Sequence, residues 1–255
     1  MVEEVTLADA DILRMQPNPR FPKAKLVERV DITDDLMVIK LEPEQGPFKF
    51  QAGQYCTLGL GTIERAYSIA SAPHEPWLEI FVELVPDGEL TPLMWKMKVG
   101  DCMSVRPRPK GLFTMDRRVH HHFMVATVTG VAPSMSMTRG YLNEGGQEHK
   151  FYIILGASYW DELTYDKELA EMAANHPDLI HFVPTISRPN EERNAGWEGA
   201  KGRANHIVGE HLELFELPQD DTLIYACGHP GMIADVKDRV VPAGWMFIEE
   251  RFWKE

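Results

Sequence analysis

Four short segments of this chain hold side chains whose types and spacing could bind a diphosphate, a flat aromatic ring system and a nucleotide. The first is Arg65-Ala66-Tyr67-Ser68. On a strand Arg65 and Tyr67 share one face and Ser68 turns to the other, so a cation, an aromatic ring and a hydroxyl line one edge. A guanidinium suits a diphosphate, and a tyrosine ring suits stacking on an isoalloxazine. The second is Gly88-Glu89-Leu90-Thr91-Pro92 ahead of the helical run LMWKM, with Thr91 placed as N-cap and Pro92 at the first helical position. The third, Thr127-Val128-Thr129-Gly130-Val131-Ala132-Pro133, joins an apolar strand to a helix, where phosphates meet helix N-termini in open α/β sheets. The fourth, Tyr225-Ala226-Cys227-Gly228-His229-Pro230-Gly231, repeats that strand-turn-helix logic and puts a thiol at a strand end. Singly, each has an ordinary explanation: plain strand residues, a well-capped helix, a buried structural cysteine.

The elements that must hold these segments fall into two patterns. Residues 1–22 are an acidic stretch and a proline-bearing segment, Gln16 to Pro22, that reads as an extended arm rather than core. From residue 23 to about 118, six short alternating or β-branched runs recur between turn signals: AKLVERVDI, LMVIKLE, QYCTLGL, RAYSIAS, WLEIFVELV and CMSVRP. That spacing predicts an antiparallel six-stranded β-barrel. From 119 to 255 apolar strands (FMVAT, FYIILGA, LIHFVPTIS, TLIYAC, WMFIEE) alternate with helix-length amphipathic segments, the pattern of a parallel sheet covered by helices. The expected architecture is two domains, a β-barrel followed by an α/β domain. Met135 and Met137 read as core packing. The run His120-His121-His122 reads as a polar inter-domain connection, because adjacent strand residues point to alternate sides and cannot converge on one metal ion.

Composition narrows the function. At 255 residues, with 44% hydrophobic and 25% charged residues, the chain is an ordinary globular protein. A net charge of -13 argues against a nucleic-acid binder, which needs a basic surface to displace counterions. Three scattered cysteines, Cys56, Cys102 and Cys227, supply neither a disulfide framework nor a four-cysteine iron-sulfur site. No stretch of about 18 apolar residues could span a bilayer, the start of the chain lacks an apolar signal core, and the chain reads as cytoplasmic.

Order joins the four segments. Arg-x-Tyr-Ser in a barrel, Gly-x-x-Thr opening a short helix, Thr-Gly-Val-Ala-Pro in an α/β domain and Cys-Gly-x-Pro near the C-terminus together resemble the ferredoxin-NADP reductase superfamily, on the side of its bacterial, FAD-containing members. The resemblance implies that Arg65, Gly88, Leu90 and Thr91 hold the FAD diphosphate, that Tyr67 stacks on the flavin with Ala66 beside it, and that Ser68 hydrogen-bonds near the hydride-accepting nitrogen. It implies that Thr129, Gly130 and Pro133 shape the nucleotide site and that Cys227 and Gly228 lie where the nicotinamide docks. Of the terminal segment, Glu250 would be a nearby carboxylate, and Phe252 or Trp253 the ring covering the other flavin face. Ser187-Arg188 and Gly202-Arg203 resemble the two basic sites that grip the 2'-phosphate of NADP; NADH-using relatives carry similar segments.

The implied activity is electron transfer through FAD between NADP(H) and a ferredoxin or flavodoxin. An acidic partner would need a local basic patch, for which Lys96, Lys98, Arg106, Arg108, Lys110, Arg117 and Arg118 are candidates and a solvated face is the alternative. Other readings are an NADH-dependent oxygenase reductase, a free-flavin reductase, and a flavin-binding regulatory protein without hydride chemistry. The last is motivated by Val128, which stands where the family usually has glycine. The branched side chain is expected to weaken or re-angle nicotinamide binding.

Overall fold

The computed structural model describes residues 15–251, which form two compact units dividing between Leu112 and Phe113. The first contains β1 (Lys23–Asp31), β2 (Leu36–Pro43), β3 (Tyr55–Leu60), β4 (Ile63–Ser68), β5 (Leu78–Glu83), helix α1 (Thr91–Lys96) and β6 (Cys102–Val105). Its six strands form one antiparallel sheet in the order β4-β3-β6-β1-β2-β5. The two edges meet again, with Ala70 N donating to Glu79 O at 2.8 Å, so the sheet closes into the expected barrel and removes its own open edges. Inward residues Leu26, Ile39, Leu41, Leu58, Leu78 and Ile80 are fully buried, and α1 adds Leu93, Met94 and Met97 to the same core. Arg29 of β1 caps that helix by donating to Trp95 O (2.9 Å) and Met97 O (2.8 Å), carbonyls that the helix cannot satisfy itself. Of the expected arm, residues 15–22 pack on the barrel, and residues 1–14 lie outside the described residues. Gly61 N donates to Gln16 O at 2.7 Å, Val105 N to Pro22 O at 2.8 Å, and Met15 lies against the core.

The second unit runs β7 (His121–Thr127), α2 (Ala132–Asn143), β8 (Lys150–Ala157), α3 (Asp166–Asn175), β9 (Ile180–Ile186), β10 (Ala200–Lys201), α4 (Val208–Leu214), β11 (Thr222–Cys227), α5 (Pro230–Val240) and β12 (Met246–Glu250). Every pairing is parallel, in the order β10-β9-β8-β7-β11-β12. The chain starts in the middle at β7, works outward to β10, then returns to β11 on the other side. The topological switch therefore lies between β7 and β11, where open α/β sheets bind ligands at strand carboxyl ends. Phe123, Val125, Ile154, Ile224 and Ala226 form one core with Val208, Leu212, Ile233 and Val236 of α4 and α5, and Met135 and Met137 of α2 are buried as expected.

The histidine run departs from its expected place. His121 and His122 are the first residues of β7, and His122 is completely buried. A polar connection would leave the imidazole hydrated, whereas here its nitrogens are satisfied inside the unit. Nδ1 lies 3.2 Å from Tyr225 Oη and Nε2 lies 3.2 Å from His149 Nδ1. Burial, reinforced by His149, pushes His122 down to about 3.

The short helical turn Val128–Val131 after β7 holds an exceptional backbone position. Val128 has φ +45°, in the left-handed region where a β-branched residue is an outlier. An L-residue there costs about 1–2 kcal/mol, and glycine would return roughly 0.5–1 kcal/mol as unfolded-state entropy. Val128→Gly is thus expected to stabilise the protein by about 0.5–1 kcal/mol, a rise of a few degrees in thermal midpoint that calorimetry would register. An unchanged or lowered midpoint would show that packing of the valyl side chain outweighs the strain.

A second expectation concerns acid. The folded state depresses the His122 pKa, so between the ordinary 6.5 and about 3 the unfolded chain binds a proton that the folded chain refuses. Stability is fully present above pH 6.5 and is lost as pH falls through this window, with a contribution approaching ~1.4 kcal/mol per pH unit. Urea unfolding between pH 7 and 4 should show a shallower loss in His122→Gln than in the unaltered chain. Equal slopes would assign the acid sensitivity to other groups.

Candidate functional site

In the first unit β4 carries Arg65 and Tyr67 on one face. Its register with β3 sets Tyr67 opposite Cys56 and Ser68 opposite Tyr55. Tyr67 is half-buried against the barrel core, its hydroxyl 3.3 Å from Met94 Sδ, and burial pushes its phenol well above the usual range. The phenol is neutral at any physiological pH, which suits a ring used for stacking. Arg65 reaches across to the loop after β5, where its guanidinium meets Glu89 Oε2 at 2.5 Å. Both partners are more than half exposed, so this pair contributes little and a doubly charged diphosphate would displace the carboxylate. Ser68 Oγ is buried with no hydrogen-bond partner among the described residues. An orphaned buried hydroxyl is costly, and a ligand nitrogen or carbonyl would satisfy it.

Thr91 differs from its expected role. The N-cap position of α1 is Leu90 and carries no side-chain cap, while Thr91 is already helical. Its hydroxyl turns back to the chain instead, accepting from Val85 N (2.9 Å) and donating to Val85 O (3.2 Å). Val85 N needed an acceptor where the chain leaves β5, and a helix entered through Pro92 left the hydroxyl free to serve it. Thr91 therefore fixes the loop that carries Gly88 and Glu89. Gly88 N donates to Val85 O in the same turn, and a Cβ on Gly88 would stand 3.0 Å from that oxygen. Leu90 is buried, so its side chain is not available to a ligand, and Ala66 contributes a small side chain on the strand face opposite Arg65 and Tyr67.

In the second unit the ends of β7 and β11 are pressed together backbone to backbone. A Cβ on Gly130 would lie 2.2 Å from Cys227 O, and one on Gly228, whose φ is +131°, would lie 2.2 Å from Thr127 Oγ1. No side chain fits at either position. Thr127 Oγ1 also accepts from His229 N at 2.8 Å, which ties the two strand ends, and His229 caps α5 by accepting Gly231 N on Nδ1 at 3.1 Å. Thr129 is half-buried in the turn before α2, and Pro133 is buried in its first turn. Cys227 ends β11 in register with Glu250 of β12. Burial, then the Glu250 carboxylate, push the thiol far above its ordinary range, so it stays protonated. It can pack against a ring; it cannot act as a thiolate nucleophile.

The basic pair lies farther along the same edge. Ile186 of β9 pairs with Lys201 of β10, so Arg188 and Arg203 occupy matching positions two residues beyond the last paired residues of neighbouring strands. Strands stand about 4.8 Å apart, which sets β10 roughly 14 Å from β7 along the sheet, a separation suited to the two ends of a dinucleotide. Arg203 is exposed, and Ser187 is half-buried with its N–H donating to Ala157 O. Arg188 donates to Tyr159 Oη at 2.9 Å and lies 3.6 Å from Glu191. Sequence reasoning passed over Glu89, Tyr159, Glu191 and Arg193, whose contacts join residues 24 to 34 positions apart or sit in loops without a motif. Phe252 and Trp253 lie outside the described residues.

The residues fit the flavin and nucleotide that the resemblance implies: an orphaned serine hydroxyl beside a stacking ring, a displaceable cation, and a two-glycine cradle at the switch point. Comparison with known proteins agrees. An oxidoreductase FAD-binding domain family matches residues 23–115, and an oxidoreductase NAD-binding domain family matches residues 124–238. Ferredoxin--NADP reductase B of Sorangium cellulosum is 31% identical over 225 residues, 85% of this chain and 89% of that protein. Protein RfbI of Salmonella typhimurium is 29% identical over 216 residues, and the chain spans 62% of its length. A crystal structure of a ferredoxin NADP+ reductase from Neisseria gonorrhoeae with bound FAD and NADP shares the fold, with a TM-score of 0.78 at 23% identity over 92% of this chain and all of that one. With both halves of its architecture and the order of its site segments accounted for, the chain belongs to the ferredoxin-NADP reductase family of FAD- and nicotinamide-nucleotide-dependent oxidoreductases.

Proposed function

We propose that this protein passes electrons between NADP(H) and a small one-electron carrier protein of the ferredoxin or flavodoxin type. The observation that carries the reading is the pairing of the glycine cradle at β7 and β11 with two arginines at matching strand ends, because it offers separate sites for the two ends of a phosphorylated dinucleotide. FAD, held by Arg65, Tyr67 and Ser68, would supply the hydride-accepting and one-electron chemistry when bound. The chain's own residues supply alignment. Arg65 balances the diphosphate, Tyr67 presents its neutral ring to the flavin, and Ser68 offers its unpaired hydroxyl near the reacting nitrogen. Cys227 contributes an uncharged wall against which the nicotinamide is oriented, with Glu250 as the adjacent carboxylate. Arg188 and Arg203 receive the 2'-phosphate, which favours NADP(H) over NAD(H).

The acceptor reading is shaped by charge. At -13 the chain repels an acidic partner at long range, so docking needs local cations. Of the seven candidates, Arg106 is held by Glu64, Arg117 by Glu144 and Arg118 by Asp116. Their charge is largely neutralised, and the reading places docking on Lys98, Arg108 and Lys110 instead. A cytoplasmic setting accords with three free cysteines, and no helix among the described residues is long and apolar enough to cross a membrane.

Anaerobic mixing of the flavin-loaded protein with NADPH or NADH, following the oxidised-flavin absorption band, checks the reaction. Faster bleaching by NADPH is expected. Equal or faster bleaching by NADH would overturn the nucleotide preference, and no bleaching by either would overturn the oxidoreductase reading. Replacing Cys227 by serine adds a group that hydrogen-bonds in place of an apolar wall. It should slow bleaching roughly ten- to hundredfold without loss of flavin, and an unaltered rate would remove Cys227 from the site.

A further inference from the structure

We propose that Asn194 is the positioning residue for Arg188, and that it sets how well the protein distinguishes a 2'-phosphorylated nucleotide from one without the phosphate. The inference rests on the reading that Arg188 and Arg203 receive that phosphate.

Arg188 opens the loop after β9, and its side chain is exposed, so an unsupported guanidinium would sample many rotamers and lose that freedom on binding. It is held at both ends instead. At the tip, Nη1 donates to Tyr159 Oη, and the guanidinium lies 5.3 Å from the centre of that ring. At the base, the Arg188 carbonyl accepts from Asn194 Nδ2 at 2.8 Å. Asn194 is 2% exposed, and its carboxamide spends its other groups on the neighbouring loop after β8. Nδ2 donates to Ser158 O at 3.0 Å and Oδ1 accepts from Trp160 N at 3.0 Å. Two carbonyls and one N–H surround the amide, so only one orientation satisfies all three.

Asn194 thus staples the two loops together on either side of Tyr159, the residue that receives the Arg188 guanidinium. The staple is reinforced from outside. Trp160 Nε1 donates to Arg193 O at 2.9 Å, and Arg193 covers the same tyrosine ring at 4.1 Å while pairing with Asp161 at 2.9 Å. Tyr159 is consequently flanked by two guanidiniums and oriented by a buried amide that touches neither. Removing that amide would take the Asn194 donor from the Ser158 carbonyl, leave the Arg188 carbonyl with Glu191 N alone at 3.2 Å, and remove the tie between the two loops.

The test measures the dissociation constant and limiting rate of anaerobic flavin reduction, with NADPH and with NADH, for the full-length flavin-loaded protein and for Asn194→Ala, Arg188→Ala and the double variant. Asn194→Ala is expected to weaken NADPH binding about tenfold, the scale of one charge-assisted contact. The NADPH limiting rate and both NADH parameters should move less than twofold, and adding Asn194→Ala to Arg188→Ala should weaken NADPH little further. Equal losses with both nucleotides, a loss confined to the limiting rate, or full additivity with Arg188→Ala would overturn the positioning role. If Arg188→Ala itself left the preference between the nucleotides unchanged, the phosphate reading would fall first and the proposal with it. Asn194→Asp is the second variant should the alanine protein not fold. It keeps the acceptor for Trp160 N but faces two carbonyls with a carboxylate oxygen, and it should show the same NADPH-selective loss; retention of the full preference would overturn the proposal.

Discussion

The second unit depends on one steric constraint: the carboxyl ends of β7 and β11 approach so closely that Gly130 and Gly228 cannot carry a Cβ. Parallel strands in a sheet are held at a fixed spacing, but the turns that leave them are free to diverge. Here they leave in contact, with Thr127 Oγ1 bonded to His229 N, so two turns and the helices they start share one small region of backbone. That region lies at the topological switch point, where the chain has run outward in both directions from the sheet centre. Val128 shows how tight the exit from β7 is, since the turn holds a β-branched residue in the left-handed region.

Electrostatics follow the same economy. Arg65 and Arg188 are not free charges in an acidic protein. Arg65 rests on Glu89 and Arg188 on Glu191, pairs of largely exposed side chains where such contacts are weak. A phosphate can therefore exchange places with the resting partner at small net cost. The strongly perturbed groups Tyr67 and Cys227 are shifted by burial in the direction that keeps both neutral. The buried His122 lies at the amino-terminal end of β7, away from this edge, and its neutrality serves the core.

Much of this was legible from residue order. Alternating runs before residue 118 and uninterrupted apolar runs after it distinguish a half-buried antiparallel sheet from a parallel sheet covered on both faces. Arg65 and Tyr67 stood out because they share one face of a strand, and Gly130 and Cys227 because they sit where a strand gives way to a turn and helix. What escaped was set by tertiary partners. Thr91 has the residue type and position of an N-cap, and only the Val85 N–H, which donates to its hydroxyl, explains why that hydroxyl points elsewhere. His122 looked like linker because histidine is polar, and it is core because Tyr225 and His149 satisfy it from elements far off in sequence. Asn194 carries no motif; its significance comes from three partners in two loops.

The account stands on the glycine contact between β7 and β11, and one substitution addresses it directly. In Gly130→Ala the added methyl must push the two strand ends apart, so the protein should retain its flavin absorption while its reduction by either nicotinamide nucleotide falls on the order of a hundredfold or more. A Gly130→Ala protein that is reduced at the unaltered rate would contradict the claim that this contact forms the nucleotide site.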